Sequence, residues 1–376
     1  MIAKMPKHWK IKKLGEICKV NQGLQIAIEE RFTEPIENGY FYITNEFLKA
    51  TSKTKYYIKN PSKSVLCSKE DILMTRTGNT GIVVTDVEGV FHNNFFKIDY
   101  DKKLLHKDYL VYCLKNDRMQ YDILVKAGNS TIPDLNHSDF YTLQIAIPPL
   151  KEQEKIAEIL LTCDKAIRLT TQIITQLKQR KQGLAQQLLT GEKRIKGFEN
   201  SVWKEVKLGE IGEVYQPETI SQNLLTEEGF KVYGANGVIG YYSRYNHEKE
   251  QIAVVCRGST CGLVNFTEAK SWITGNAMVI NLDGNPNYSK LFVYEYLKND
   301  NLNYLITGSG QPQITSEIKN HIIKVPSFKE QNAIAQILDT VHQELKLYEQ
   351  KLQLLQTQKK TLMQKLLTGE ILTIKK

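Results

Sequence analysis

Two arginines of this chain stand in loops of small and hydroxylated residues, a setting suited to phosphate or base-edge contact. The run TRTGNTG at 75–81 carries Arg76 and the run CRGSTCG at 256–262 carries Arg257; laid on one another, the runs put the two arginines at equivalent sites. Glycine bares the backbone N–H groups there. Thr77, Asn79 and Thr80 in one loop, and Ser259 and Thr260 in the other, can approach phosphate oxygens, while an arginine can grip phosphate or read guanine. Two basic runs interleaved with aromatics accompany the loops: Lys53, Lys55, Tyr56, Tyr57 and Lys59, and later Tyr241, Tyr242, Arg244 and Tyr245. Polar loops follow, with Asn129, Ser130 and Thr131 in the first half and Ser309, Gln311 and Gln313 in the second. Taken singly, each residue reads equally well as solvated surface or as a hairpin turn. Their occurrence in both halves of a 376-residue chain with formal charge +9 and a pI near 9.0 favours a polyanion, double-stranded DNA in particular.

Catalytic chemistry finds less support. No GxxxxGK[ST] phosphate loop occurs, so the chain is not expected to consume nucleotide itself. The string NPNY at 285–288 approaches the Asn-Pro-Pro-aromatic motif with which adenine methyltransferases hold a flipped base. Its third residue is Asn287, however, no glycine-rich cofactor loop stands upstream, and the matching place in the first half is DYDK at 99–102. A strand-to-helix turn is the expectation. The histidines have no recurring carboxylate or cysteine partner, which leaves a nucleophilic triad unsupported. Cys18, Cys67, Cys113, Cys163, Cys256 and Cys261 are scattered and read as free thiols of a reducing compartment, with no metal expected. No stretch approaches the roughly 20 apolar residues that cross a bilayer, and the basic opening lacks the apolar core of a secretory signal. A cytoplasmic protein with no membrane partner is expected.

The elements that must hold these loops are written twice. KLGEI at 13–17 recurs at 207–211, LKND at 114–117 recurs at 297–300, KEQ at 151–153 recurs at 329–331, and LLTGE at 188–192 recurs at 366–370. Each copy therefore runs from a tryptophan-led opening through a variable stretch to a KEQ-opened helix and an LLTGE stop. In the variable stretches, short β-rich runs such as DILMTRTG, FHNNFFKIDY, QIAVVCRG and AMVINLD alternate with glycine turns and lead into the helical runs HKDYLVYCLKND and SKLFVYEYLKND. Each module is read as α+β.

Apolar residues in the two KEQ segments alternate at spacings of four and three. In the first they are Ile156, Leu160, Cys163, Ile167, Ile174, Leu177, Leu184 and Leu188; in the second, Ile334, Leu338, Val341, Leu345, Tyr348, Leu352, Leu355, Leu362 and Leu366. A lysine interrupts each series at the same place, Lys181 and Lys359, as a polar seam residue does when it fixes pairing register. The pattern predicts a coiled coil of two helices, each roughly 58 Å long at about 1.5 Å per residue. The alternative is two amphipathic helices lying separately on their own domains. Paired helices must run antiparallel, since the first delivers the chain to the second module; they would then act as a ruler between modules in pseudo-twofold arrangement. Gly191 and Gly369 fit the left-handed residue that stops a helix. The expected division is a first module at 1–147, a long helix at 148–192, a second module at 193–325 and a second long helix at 326–376.

The KLGEI opening, the PPLKEQ entry to a long helix at 148–153 and the LLTGE ending followed by RIKGF at 194–198 resemble the specificity subunit of type I restriction-modification systems. The second helix is entered by VPSFKEQ, with Pro326 alone. The resemblance covers essentially the whole chain, twice, in order. It implies that the variable stretches are target-recognition domains, each reading one half of an asymmetric bipartite DNA site, and that the antiparallel coiled coil sets the gap and docks two modification subunits. It implies further that the chain is non-catalytic by itself and holds no cofactor. The modification subunits would bring S-adenosylmethionine and methylate adenine, and restriction subunits would bring ATP- and Mg-dependent translocation and cleavage. Two rival readings are a fused enzyme fragment, which would carry methyltransferase motifs that the sequence lacks, and a coiled-coil adaptor that binds proteins only.

Overall fold

Runs rich in valine, isoleucine and phenylalanine become strands, each short because a glycine, asparagine or aspartate turn ends it. A computed structural model describes residues 5–49, 54–128, 131–235, 237–308 and 310–373, and divides into two units, Met1–Leu169 with Leu352–Lys376, and Thr170–Lys351. Lys53, Asn129, Ser130 and Ser309 lie outside the described residues.

In the first unit Cys18–Gln22, Phe95–Tyr100, Ile72–Thr75 and Val83–Val84 form, in that spatial order, an antiparallel sheet. All four residues of Ile72–Thr75 are buried, which is why the strand reads as an unbroken apolar run rather than an alternating one. A second sheet orders Tyr56–Lys59, Gly39–Ile43, Gly89–Phe91 and Leu66–Cys67, its central pair parallel. Ile43, Cys67 and Phe91 of that sheet pack with Leu73, Val84 and Phe95 of the first in one buried cluster. The opposite face of the first sheet gives Ile72, Met74, Phe96 and Ile98 to a core shared with Tyr109, Leu110, Leu114 and Ile123 of the helices Lys107–Lys115 and Asp117–Ala127. The second of these helices is absent from the sequence reading; Asn116, whose side chain accepts the Arg118 N–H, caps a fresh start inside LKND.

The second unit repeats the plan with fewer parts. Glu213–Tyr215, Ala277–Asn281, Ile252–Val255 and Val264–Phe266 make the antiparallel sheet, and Gly237–Tyr242, Phe230–Gly234 and Trp272–Ile273 the smaller one. The helix Lys290–Asn299 covers the main sheet, with Phe292, Val293 and Leu297 in its core. Where the first unit has Asp117–Ala127, the second has the 3-10 turn Asn303–Leu305. The NPNY string is the turn between strand Ala277–Asn281 and helix Lys290–Asn299, closed by the Asn285 N–H to the Leu282 carbonyl at 3.0 Å.

The repeated strings are backbone fittings. In KLGEI, Glu16 accepts the Lys13 N–H at 2.9 Å and Glu210 the Lys207 N–H at 3.0 Å, while Leu14 and Leu208 are fully buried. In KEQ, Gln153 accepts the His106 N–H at the start of helix Lys107–Lys115 and donates to the Pro148 carbonyl; Gln331 accepts the Ser289 N–H at the start of helix Lys290–Asn299 and donates to the Pro326 carbonyl. Burying a glutamine amide is tolerable only when it is satisfied in this way, and both are buried. The glutamates differ. Glu152 accepts the Trp9 indole N–H at 2.9 Å, whereas Glu330 is engaged twice by Arg194, at 3.0 and 2.9 Å, and the Trp203 indole N–H is left buried without a partner.

The long helices are Leu150–Leu189 and Phe328–Leu367. Within the first unit the start of one meets the end of the other: Ile156 and Leu160 share a core with Met363, Leu366 and Leu367. Within the second unit Leu188 and Leu189 share a core with Ile334, Ala335 and Leu338, and Lys178 lies 3.0 Å from Glu349. Each unit thus contains an antiparallel coiled-coil segment. Of the seam positions, Ile156, Leu160, Ile174, Leu177, Ile334, Leu338 and Val341 are buried, and Ile167, Leu184, Leu345, Leu352, Leu355 and Leu362 are half-buried. The helices end at Gly191 and Gly369, both at φ +74°, each lying against the tryptophan of its unit, Trp203 and Trp9. No helix among the described residues is long and apolar enough to cross a membrane.

Candidate nucleic-acid interface

Both glycine loops leave the third strand of the main sheet, Ile72–Thr75 in one unit and Ile252–Val255 in the other, and close against a second loop that precedes the strand leading into the long helix. The backbone bonds are the same in each. The Arg76 N–H donates to the Asn94 carbonyl and the Arg76 carbonyl accepts from Leu135; the Cys256 N–H donates to the Asn276 carbonyl and the Cys256 carbonyl accepts from Ile314. One residue on, Thr77 bridges Asp134 and Arg257 bridges Gln313; Gly78 then donates to the Pro133 carbonyl and Gly258 to the Pro312 carbonyl.

These bonds correct the equivalence expected of the two arginines. Cys256, not Arg257, occupies the place of Arg76, and Arg257 occupies the place of Thr77. The loops differ by one residue between Gly78 and Gly81 on one side and Gly258 and Gly262 on the other. An alignment on the glycine at the far end therefore slips by one, and along extended backbone a slip of one moves a side chain to the opposite face.

The consequence is chemical. Arg76 faces inward: its Nη2 donates to Asp134 Oδ2 at 2.8 Å, its guanidinium lies 5.4 Å from the centre of the Phe96 ring, and its side chain is 14% exposed. Thr77 donates its hydroxyl to the other oxygen of Asp134, and buried Thr80 donates to the Arg76 and Pro133 carbonyls at 2.9 and 2.7 Å. Arg76, Thr77, Thr80 and Asp134 are thereby joined into one hydrogen-bonded knot, in which the Arg76 Nε is buried without a partner. Arg257 faces outward and is exposed; among the described residues no hydrogen bond or ion pair engages its guanidinium or the Gln313 amide. Both line a hollow of about 260 Å³ with Gln216, Thr315 and Ser316. Asp134 was missed in the sequence, although the pairing of PD at 133–134 with PQ at 312–313 carries the signal.

The remaining candidates disperse over their units. Asn79, Thr131, Ser259 and Gln311 are exposed loop residues, while Thr260 turns in to donate to the Ala235 carbonyl at 3.0 Å. Lys55 is exposed beside strand Tyr56–Lys59, in which Tyr57 is half-buried with its ring 6.0 Å from Phe41. Tyr242 packs edge-on against Trp272 at 5.3 Å, and Arg244 is exposed just beyond it. Arg31, which the sequence gives no reason to single out, braces this region of the first unit: it donates from Nε and Nη2 to the Ile26 carbonyl, and its guanidinium lies 5.3 Å from the Tyr42 ring centre and 5.4 Å from that of Tyr56. The thiols are free and mostly inert, burial pushing Cys18 and Cys113 up to about 12 and Cys67 up to about 11.

Residues 6–179 and 200–357 each match the model of the type I restriction modification DNA specificity domain. Over 98% of its length the chain is similar, at 25% identity, to the type I restriction enzyme MjaVIII specificity subunit of Methanocaldococcus jannaschii, of which it spans 94%. Over 36% of its length it is 28% identical to the EcoprrI specificity subunit of Escherichia coli, covering 35% of that protein. The crystal structure of a type I restriction-modification S subunit from M. genitalium shares the fold, with a TM-score of 0.70 at 20% identity over 97% of this chain and 96% of that one. A chain from a structure of the type I restriction-modification system described for its complex assembly and conformational transition shares it at 0.57 and 15% identity, over 98% of this chain and all of that one.

Proposed function

The chain belongs to the family of type I restriction modification DNA specificity domains, and on that premise we propose that it is the specificity subunit that reads an asymmetric bipartite site on double-stranded DNA, one element with each module, and directs adenine methylation and restriction by partner subunits. One observation carries the reading. Both units build the same pair of loops on the same backbone bonds, yet present Arg76, Thr77 and Asp134 in one and Cys256, Arg257 and Gln313 in the other. A kept scaffold with exchanged side chains is what two readers of different sequences require.

The reactions belong to the partners. Two modification subunits would supply S-adenosylmethionine and the pocket that takes the flipped adenine, and restriction subunits would supply ATP- and Mg-dependent cleavage, all in the cytoplasm; this chain would contribute the address. The test is co-expression with the neighbouring modification subunit in a host free of adenine methylation, followed by sequencing for methylated adenine. The expected product is a split motif, two different short elements around a fixed unspecified gap. A folded, partner-bound complex that writes no methylation, together with DNA binding that lacks a salt dependence, would instead make the chain a protein-only coiled-coil adaptor.

A further inference from the structure

We infer that Arg257 and Gln313 form a paired base-reading station of the second module, and that the matching station of the first module is closed, so that Arg76 positions a loop and reads nothing. The inference rests on the specificity reading above and adds which residues of the loops carry sequence information.

Geometry supports the pair. Arg257 and Gln313 face one another across a two-strand backbone bridge, the arrangement that sets neighbouring side chains side by side. Both side chains are exposed, and they line one hollow. The loops beneath them are held firmly: Gly258 donates to the Pro312 carbonyl at 3.1 Å, Ile314 to the Cys256 carbonyl at 3.0 Å, and Thr307 and Gln313 exchange two bonds of 2.9 Å. A rigid base with two uncommitted side chains is suited to directional contacts. Arginine reads the O6 and N7 edge of guanine and glutamine the N6 and N7 edge of adenine, each with two bonds. The side-by-side placement therefore specifies a guanine and an adenine at adjacent base pairs of one half-site.

The first module lacks this option. Its bridge pair is Thr77 and Asp134, which are bonded to each other, and Asp134 also holds Arg76. This place offers no arginine or amide fork, and the Asp134 carboxylate, though 45% exposed, already holds Thr77 and Arg76, so the readout of the first half-site is assigned to other exposed groups of that unit.

The test uses the complex with its modification subunit and compares the methylation motif of the wild type with those of Arg257→Ala, Gln313→Ala and Arg257→Lys. Arg257→Ala should relax one guanine and Gln313→Ala an adjacent adenine, both in the same half-site, with discrimination falling roughly 10- to 100-fold at that position. Arg257→Lys keeps the charge and loses the two-bond fork, so it should relax the same guanine while the salt dependence of binding stays at the wild-type slope. A split motif that survives both alanine substitutions overturns this inference and leaves the specificity reading standing. So does an Arg257→Ala variant whose binding weakens evenly over all sequences with a shallower salt slope, the mark of a phosphate contact. A partner-bound wild-type complex that writes no split motif overturns the specificity reading and this inference with it.

Discussion

Lys359 pairs with Asp164 across the coiled coil of the first unit, and Lys181, at the matching seam position of the first long helix, pairs with Glu295 of the helix Lys290–Asn299 instead. The carboxylate has changed its element while the lysine has stayed. In the first unit Tyr112, at the place of Glu295, donates its hydroxyl to Asp164 at 2.7 Å, and Lys359 lies 5.5 Å from the Tyr112 ring centre. In the second unit His342 takes the place of Asp164, and burial together with the Lys181 charge holds its pKa down. Either arrangement neutralises one ammonium at a half-buried seam; they are two solutions to one electrostatic problem.

The relocation is testable by transplantation. Glu295→Gln should leave Lys181, whose side chain is 16% exposed, without its carboxylate and destabilise the second unit by roughly 3 kcal/mol in chemical denaturation. Adding Glu295→Tyr and His342→Asp together rebuilds the arrangement of the first unit and should recover most of that loss. A double variant no more stable than Glu295→Gln would show that the two stations are not interchangeable.

Alanine at the two helix stops should be unequal. Both glycines have φ +74°, where a Cβ costs roughly 1 kcal/mol. At Gly191 the added carbon would meet the Trp203 ring at 3.4 Å, an ordinary contact, but at Gly369 it would lie 2.3 Å from Pro6 Cδ. Thermal unfolding should therefore show Gly369→Ala losing clearly more stability than Gly191→Ala, and equal losses would mean that the tail at Gly369 yields freely.

The first unit should weaken in acid through His92. Burial, aided by the Arg31 charge, lowers its pKa from 6.5 to about 4, and its Nδ1 accepts the Asn94 N–H at 3.0 Å, which requires the neutral ring. Between those values the unfolded chain binds the extra proton, so the contribution is intact above about pH 6.5 and is lost progressively down to about pH 4. The advantage of the wild type over His92→Gln, which keeps an acceptor, should shrink by on the order of 1 kcal/mol between pH 7 and pH 5. A gap independent of pH would remove His92 from the account.

Asp134→Asn should loosen the knot around Arg76 by about 1 to 3 kcal/mol, since it leaves a mostly buried guanidinium without its carboxylate. The variant complex should methylate less at every site while choosing the same bases. A changed base at one position would show that Asp134 itself reads DNA.

Much of the fold is legible in the chain because its repeated strings do local work. A KEQ glutamine that satisfies a helix start, a KLGEI glutamate that folds back three residues, a glycine that ends a helix and a seam spaced by four and three all act within a few turns of backbone, and their chemistry can be read from type and spacing. The helix Asp117–Ala127 escaped because a single asparagine cap inside a repeated string started it. What the sequence alone determined, then, is that two similar α+β modules alternate with two long helices and carry glycine loops fit for a polyanion. Which arginine faces the solvent, and where Lys181 finds its carboxylate, only the tertiary structure decided. A side chain on extended backbone reverses its face with each residue of slip, and the register that prevents the slip is set by hydrogen bonds to loops nearly sixty residues away, at Leu135 for Arg76 and at Ile314 for Cys256.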